Sequence, residues 1–447
     1  MSKKIIIVGG VGGGATVAAQ IRRTNKTAEI LVLERNGYVS FANCGMPYYL
    51  SGTITDRQKL IYPEEKFAQK YDLTVQTHAN VTKINRNQKS VVYEKHQTEH
   101  SVYYDILILS PGASPVLPDI EGLQQANTFP LRTIEDMDEI EKFIQFNNPQ
   151  SAAIIGGGFV GLEMVESLYN RGLSCSLIDS SEHVLKRIDK EMAIHIDEHL
   201  QEKGITLYVN DGLKSFSNDG TSLLLSSEKT IQADMTIMAI GIKPNTALAI
   251  DAGLEIGETG GIKVNQYMQT TDPHIFALGD AVEVTDFITG EPAHIALAWP
   301  AHRQAFIISS YLSGNPIYDD GIIGSSILRV FDLTITATGQ NKQTLIDNGI
   351  EFEETIMKGY SHAAYYPGSK ELWMQIVFDK NTGQLFGGSV IGFEGADKRM
   401  AVLATAIKGK LTVADLASLE LGYSPIYSSA KDPLNILGYK AMEQLGN

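Results

Sequence analysis

Two kinds of residue in this sequence can carry chemistry: the cysteines Cys44 and Cys175, and two clusters of glycine beginning at Gly9 and Gly156. A thiolate is both a nucleophile and a redox centre, but a lone cysteine is by default an inert buried residue, so its surroundings have to argue for it. Cys175 opens the apolar run 175–178 and reads as part of a buried strand, hence structural. Cys44 lies in Ser40-Phe-Ala-Asn-Cys-Gly-Met-Pro-Tyr-Tyr49, among residues that turn the chain and donate hydrogen bonds. A thiol without a protein partner cycles either with oxygen, through a sulfenic acid, or with an external thiol, through a mixed disulfide. Attack on a disulfide needs thiolate, so the Cys44 pKa is expected to fall below the free value of about 8.5, with Asn43 and backbone amides as donors.

The glycine clusters sit in a repeated frame. Residues 5–8 are a β-branched run that opens into Gly9-Gly-Val-Gly-Gly-Gly14, followed by a helical stretch at 15–23 and an apolar run at 30–33 ending in Glu34. Residues 152–155 open into Gly156-Gly-Gly-Phe-Val-Gly161, then a helical stretch at 162–170 and a strand at 175–178 ending in Asp179. Strand, glycine turn, helix, strand and acid make a βαβ dinucleotide-binding unit, present twice. The free N–H groups and dipole at the helix start favour a pyrophosphate, and the acid accepts from a ribose hydroxyl. The second unit fits the GxGxxG spacing at Gly156, Gly158 and Gly161, with Asp179 eighteen residues after the last glycine. The first departs from it, since Val11 holds the middle position between Gly9 and Gly14, where Gly12 and Gly13 are expected to loosen the turn. Glu34 lies twenty residues beyond Gly14.

The rest of the chain must support these units. A length of 447 residues predicts two or three domains. Buried strands at 104–109 and 233–240, each closing in a glycine turn at Gly112 or Gly241, end the two halves in similar fashion. From about residue 320 alternating patterns, the Asn381-Thr-Gly383 turn and helical stretches at 397–408 and 413–419 predict an α+β region. A net charge of −15 argues against nucleic acid, although Arg22 and Arg23 form a local basic patch able to hold a small anion. No run of about 18 apolar residues occurs, so no membrane span is expected, and the apolar run 5–8 is too short for a signal peptide. Two cysteines cannot make a disulfide framework, which points to the cytoplasm. No metal site is expected.

Which unit takes which cofactor does not follow from spacing. Thr271-Asp-Pro-His-Ile-Phe-Ala-Leu-Gly-Asp280 resembles the TxxxxIFAxGD signature of flavoprotein disulfide reductases, and the strand before Gly112 resembles their ATG-type strand. Ser40-Phe-Ala-Asn-Cys-Gly-Met-Pro-Tyr-Tyr49 resembles the SFxNCGxPYY motif of coenzyme A disulfide reductases, and the likeness runs the full length. The CxxxxC dithiol of glutathione-reductase types is missing, because Tyr49 and Val39 stand five residues either side of Cys44. The first glycine loop has no histidine, unlike the related NADH oxidases and peroxidases.

The resemblance implies an α/β fold of two Rossmann-like dinucleotide domains, glutathione-reductase-like, plus a C-terminal α+β dimerisation domain. Residues 1–112 and 246–320 would hold FAD, residues 113–245 NAD(P)H, and residues 321–447 would pair subunits. It implies cofactor contacts at Gly9, Val11, Gly14, Glu34, Arg35, Asn43, Val81, Ser110, Gly112, Arg132, Gly279, Asp280 and Ala298. On the nicotinamide side it implies Gly156, Gly158, Gly161, Glu163, Asp179 and Gly241. Coenzyme A contacts fall at Thr16, Gln20, Arg23, Ser40 and Asn43. Tyr365 and Tyr423 match tyrosines that reach the partner subunit's cysteine, whereas Tyr48, Tyr366 and Tyr427 are expected to pack. His302 is expected in the core or at the surface rather than at the flavin. The implied activity is reduction of a coenzyme A disulfide or persulfide by NADH in a homodimer, through a Cys44–S–S–CoA intermediate. Asp179 would repel a 2'-phosphate, while Lys186 and Arg187 downstream leave room for NADPH. The rivals are a water-forming NADH oxidase, a polysulfide or persulfide reductase (relatives of that kind often append a rhodanese domain, and this chain stops at Asn447), and a flavin redox sensor without turnover.

Overall fold

A computed structural model describes residues 3–445. Its first layer is a five-stranded parallel sheet in the spatial order Ile275–Ala277, Ile106–Leu109, Lys4–Val8, Glu29–Leu33, Thr74–Gln76. The second parallel sheet runs Thr128–Phe129, Met235–Met238, Ser151–Ile155, Ser174–Ile178, Thr206–Tyr208. The central strands read as unbroken β-branched and apolar runs because both faces are covered. Helices lie against Ile7 and Ile154 on one face and an antiparallel flap against Ile6 and Ala153 on the other, and none of these four has exposed surface. Each sheet also carries a three-stranded antiparallel flap, at Ala79–Asn85, Ser90–Lys95 and Thr98–Tyr103 before Ile106–Leu109 in one and at Leu213–Phe216, Ser222–Leu225 and Thr230–Gln232 before Met235–Met238 in the other. The internal duplication therefore extends beyond the βαβ units.

The helices after the glycine loops are Gly13–Thr24 and Phe159–Asn170, each longer at its start than the apolar pattern predicts. The extra turn consists of loop residues whose amides point out of the helix start, which apolar periodicity does not register. The chain leaves the first sheet along Ala113–Pro115 and returns along Ile242–Pro244, two strands that pair antiparallel. Everything in the second sheet lies between them.

The C-terminal part is a five-stranded antiparallel sheet in the order Ser326–Val330, Leu333–Gly339, Leu385–Gly392, Glu371–Asp379, Phe352–Tyr360. Helices Ala396–Lys408 and Val413–Ser418 fall where expected, and a further helix, Pro433–Leu445, had no reading in the sequence. Leu434, Leu437 and Ala441 of that helix are buried in the same core as Leu372, Met374 and Ile376 of the sheet. This is the α+β arrangement the sequence predicts.

Candidate active site at the junction of two dinucleotide units

The two glycine loops obey the same steric demand. Gly9 has φ +96°, and a Cβ there would stand 2.1 Å from the Ser110 carbonyl oxygen; Gly156 has φ +103°, with the Ala239 oxygen at 2.3 Å. A Cβ at Gly14 or at Gly161 would stand 1.9 Å from the carbonyl oxygen of Gly9 or Gly156. The middle position is different. Nothing lies within 4 Å of a Cβ at Gly158, whose φ of −78° any residue adopts. Val11 is therefore tolerated in the first unit without special loosening, and its side chain packs against the apolar core below. Gly12, at φ +51°, is the helix N-cap.

The two acids are equivalent as well. Glu34 accepts from the amides of Gly10 at 2.7 Å and Asn36 at 2.9 Å; Asp179 accepts from the amides of Gly157 and Ser181. Burial raises the Glu34 pKa above the usual carboxylate value, partly offset by those amide bonds.

A cavity of about 1050 Å³ opens on the first loop. Its wall includes Gly9, Val11, Glu34, Arg35, Asn43, Val81, Ser110, Gly112, Arg132, Gly279, Asp280 and Ala298, with Cys44 among them. Of the residues expected around the flavin, Gly14 stands outside that wall, its role being the close approach to Gly9. Arg132 and Asp280 form an ion pair at 2.5 Å, and the Gly279 amide donates to the buried Gln304 side chain at 2.7 Å. Sequence reasoning missed Asn80, Thr82 and Leu297, which line the cavity at positions that no motif marks. His302 is exposed, as the surface placement has it, and it also lines the cavity rim, its Nδ1 2.9 Å from the Thr16 hydroxyl. The volume, the glycine cradle and the acid at the strand end fit a bound dinucleotide such as FAD.

Cys44 sits in the single turn Asn43–Gly45 that leads into the helix Met46–Leu50. Both units hold this segment. The Ser40 amide donates to Gly10 O at 3.0 Å, with Ser40 itself at φ +49°, and the Asn43 side chain donates to Arg132 O at 3.3 Å. From the other unit, the Ser167 hydroxyl donates to Pro47 O at 2.8 Å and Arg171 to Leu50 O at 3.0 Å. Cys44 is exposed, whereas Cys175 is buried and its thiol is pushed up to about 12, which leaves it inert. The chain does not activate Cys44 by itself, against the sequence expectation. Burial and the Glu163 carboxylate raise its pKa by more than Arg132 lowers it. Glu163, on the second glycine-loop helix, is in turn pushed up to about 7 by burial and by Glu166.

Other expected residues scatter. Thr16, Gln20 and Arg23 lie on one face of the helix Gly13–Thr24, and the Thr16 hydroxyl also donates to Gly12 O at 2.8 Å. Arg22 leaves the basic patch: it is buried and donates to the carbonyls of Tyr71, Asn25, Lys26, Ala28 and Asp72. Arg187 is likewise turned away from a 2'-phosphate, its guanidinium donating to the carbonyls of Ile323, Gly324 and Gly339, while Lys186 is exposed. Gly241, at φ +122°, closes the second unit's last strand. The Tyr365 and Tyr423 hydroxyls are 2.9 Å apart and 75% and 49% of these residues' surface is exposed, but neither lines the cavity of its own chain. Tyr366 meets His362 edge-on, and Tyr48, Tyr366 and Tyr427 are all exposed on the single chain.

Two dinucleotide-binding sheets, a cradle between strand ends and one accessible thiol at their junction define an oxidoreductase of the two-nucleotide type. The chain belongs to the pyridine nucleotide-disulphide oxidoreductase family, which matches residues 3–305, with that family's dimerisation domain at residues 326–433. It is 37% identical over 442 residues to the coenzyme A disulfide reductase of Staphylococcus epidermidis, covering 98% of this chain and 99% of that one. Among solved structures, the reduced CoADR-RHD of Bacillus anthracis superposes with a TM-score of 0.98 at 43% identity, covering all of this chain and 81% of that one. A NAD-dependent persulfide reductase from A. fulgidus superposes with a TM-score of 0.96 at 32% identity, covering 99% and 83%. Among the described residues no helix is long and apolar enough to cross a membrane.

Proposed function

We propose that this protein is an NADH-dependent, FAD-containing coenzyme A disulfide reductase acting in the cytoplasm. The observation that carries the reading is the pairing of one exposed thiol, Cys44, on the cavity wall with a second cysteine buried in the other sheet. The sulfur that Cys44 exchanges with must then come from outside the protein. The working division is residues 1–112 with 246–320 for FAD, 113–245 for the nicotinamide cofactor and 321–447 for pairing of subunits.

Gly156, Gly161 and Asp179 hold the nicotinamide cofactor, and with Arg187 occupied by carbonyls the carboxylate of Asp179 favours NADH. Gly9, Gly14, Glu34, Arg132 and Asp280 hold FAD, which when bound supplies the two-electron relay between nicotinamide and sulfur. The Cys44 thiolate attacks a coenzyme A disulfide and displaces one thiolate, leaving a Cys44–S–S–CoA mixed disulfide. Thr16, Gln20, Arg23, Ser40 and Asn43 orient the substrate along the first helix. The partner subunit's Tyr365 and Tyr423 supply the proton to the departing thiolate, since phenols stay protonated at pH 7. The likeness to a persulfide reductase makes coenzyme A persulfide the alternative substrate, because the same displacement on sulfur serves both.

Cys44→Ser is the test. Turnover of coenzyme A disulfide with NADH is expected to vanish while the flavin remains bound, and mass spectrometry of the resting protein should find a coenzyme A adduct on Cys44. Retained disulfide turnover in the variant ends the reading.

A further inference from the structure

The two tyrosine-bearing segments, residues 361–370 and 419–432, contain no helix or strand, and loops of this kind are the mobile parts of most proteins. Their phenols nevertheless meet at 2.9 Å. Beneath them lies Arg399, 1% exposed, on the helix Ala396–Lys408. Its Nε and Nη2 donate to the two carboxylate oxygens of Asp432 at 3.0 and 2.8 Å, and Nη2 also donates to Ser361 O at 3.1 Å. Nη1 donates to Gly395 O at 3.0 Å. The Asp432 carboxylate accepts further from the Ser428 hydroxyl and from the Leu434 amide. One backbone bond joins the segments directly, Ala363 N to Pro425 O at 3.2 Å.

A buried ion pair adds little net stability over apolar side chains of the same volume, because desolvation cancels most of the attraction. What it adds is geometry, through a planar fork that meets a carboxylate two bonds at a time. Here the fork reaches one tyrosine segment through Ser361 and the other through Asp432. Burial alone would raise the Asp432 pKa, but the Arg399 guanidinium and the Ser428 hydroxyl outweigh it and keep the pair ionised.

We propose that Arg399 and Asp432 are a positioning clamp holding the Tyr365 and Tyr423 hydroxyls together as one proton-donating unit for the partner subunit's Cys44. The inference rests on the disulfide-reductase reading. In the step served, the thiolate of one subunit forms a new S–S bond, the substrate S–S bond breaks, and the leaving thiolate takes a phenol proton that solvent replaces.

The test variant is Asp432→Asn, assayed as the flavin-loaded protein with NADH and either coenzyme A disulfide or ferricyanide. Ferricyanide draws electrons from the flavin and needs no thiol protonation. Turnover of the disulfide is expected to fall about tenfold or more, within the ~100- to 10,000-fold worth of general acid catalysis, with its KM and the ferricyanide rate unchanged. The alkaline limb of the disulfide pH profile should move to lower pH, because separation removes the hydrogen bond that raises the Tyr365 pKa. Equal losses in both reactions, or full disulfide turnover in an intact dimer, overturn the clamp. If Asp432→Asn yields no flavin-loaded dimer, Ser428→Ala keeps the ion pair and removes one donor. A selective loss of about threefold is then expected and full turnover overturns the proposal. The double variant Tyr365→Phe with Tyr423→Phe separates the two ideas: full turnover there sinks the role of the tyrosines, while a defect there without one in Asp432→Asn sinks only the clamp.

Discussion

The two dinucleotide units share the order of four strands, an antiparallel flap, a glycine pair that excludes any Cβ and an acid tied to the loop amides, yet their loops are surrounded differently. The first loop forms the wall of a cavity of about 1050 Å³, and Val11 ties it to the core. The second loop lines no part of that cavity, and the space beside Gly158 is open. Under the proposed assignment, the same backbone frame makes a cavity wall for a resident cofactor and an open seat for one that leaves on every turnover. Enclosure is decided at the middle position and by what surrounds the loop, not by the glycines that define it.

The largest expected effect separates the two seats. Gly9→Ala and Gly156→Ala each drive a Cβ into a carbonyl oxygen at positive φ, a strain on the order of 3 kcal/mol. The first should be purified without flavin and with a lowered melting temperature; the second should keep its flavin and lose NADH-dependent turnover. Loss of flavin from Gly156→Ala would break the comparison. A smaller effect comes from exchanging the middle residues. Gly158→Val should fold normally but raise the KM for NADH about tenfold, since the side chain occupies the ligand's approach, whereas Val11→Gly should cost about 1–2 kcal/mol of stability. An unchanged KM in Gly158→Val would show that the loop is not the nicotinamide seat.

The smallest effect concerns Glu163, which sits between the second seat and Cys44. Its folded pKa of about 7 exceeds the ordinary carboxylate value of 4.5, so the unfolded chain releases this proton first. Stability is therefore expected to fall as pH rises from about 4.5 to 7 and to level off above. Glu163→Gln should flatten that slope in melting curves and, by removing a negative charge beside Cys44, lower the thiol pKa seen by alkylation rates. Identical alkylation profiles in the two proteins would remove Glu163 from the account of Cys44.

The glycine loops, their acids and the strands that flank them were legible in the sequence because steric exclusion at a turn is local and leaves a mark at fixed spacing. The inertness of Cys175 followed from its apolar strand for the same reason. The arginines were not legible. Arg22 and Arg187 read as cations available to a phosphate, but each is bound to backbone carbonyls that only the tertiary fold assembles, and a carbonyl has no letter in the sequence. The pairing of His302 with Thr16 left no mark in the sequence, because the two lie 286 residues apart. The direction of the Cys44 pKa was missed for a related reason: it is raised first by burial and then by Glu163, which reaches it from the other unit across an interface that no motif records.

The paired strands Ala113–Pro115 and Ile242–Pro244 also set a timetable for synthesis. The edge strand of the first sheet, Ile275–Ala277, is made 166 residues after Leu109, the last residue of its neighbour. At about 5–20 residues per second the ribosome needs roughly 8 to 33 s to supply it. During that wait the second sheet, whose strands are all upstream of residue 242, can be complete while the first still has an unpaired edge. Of the two dinucleotide units, the one that starts first is the one that finishes last.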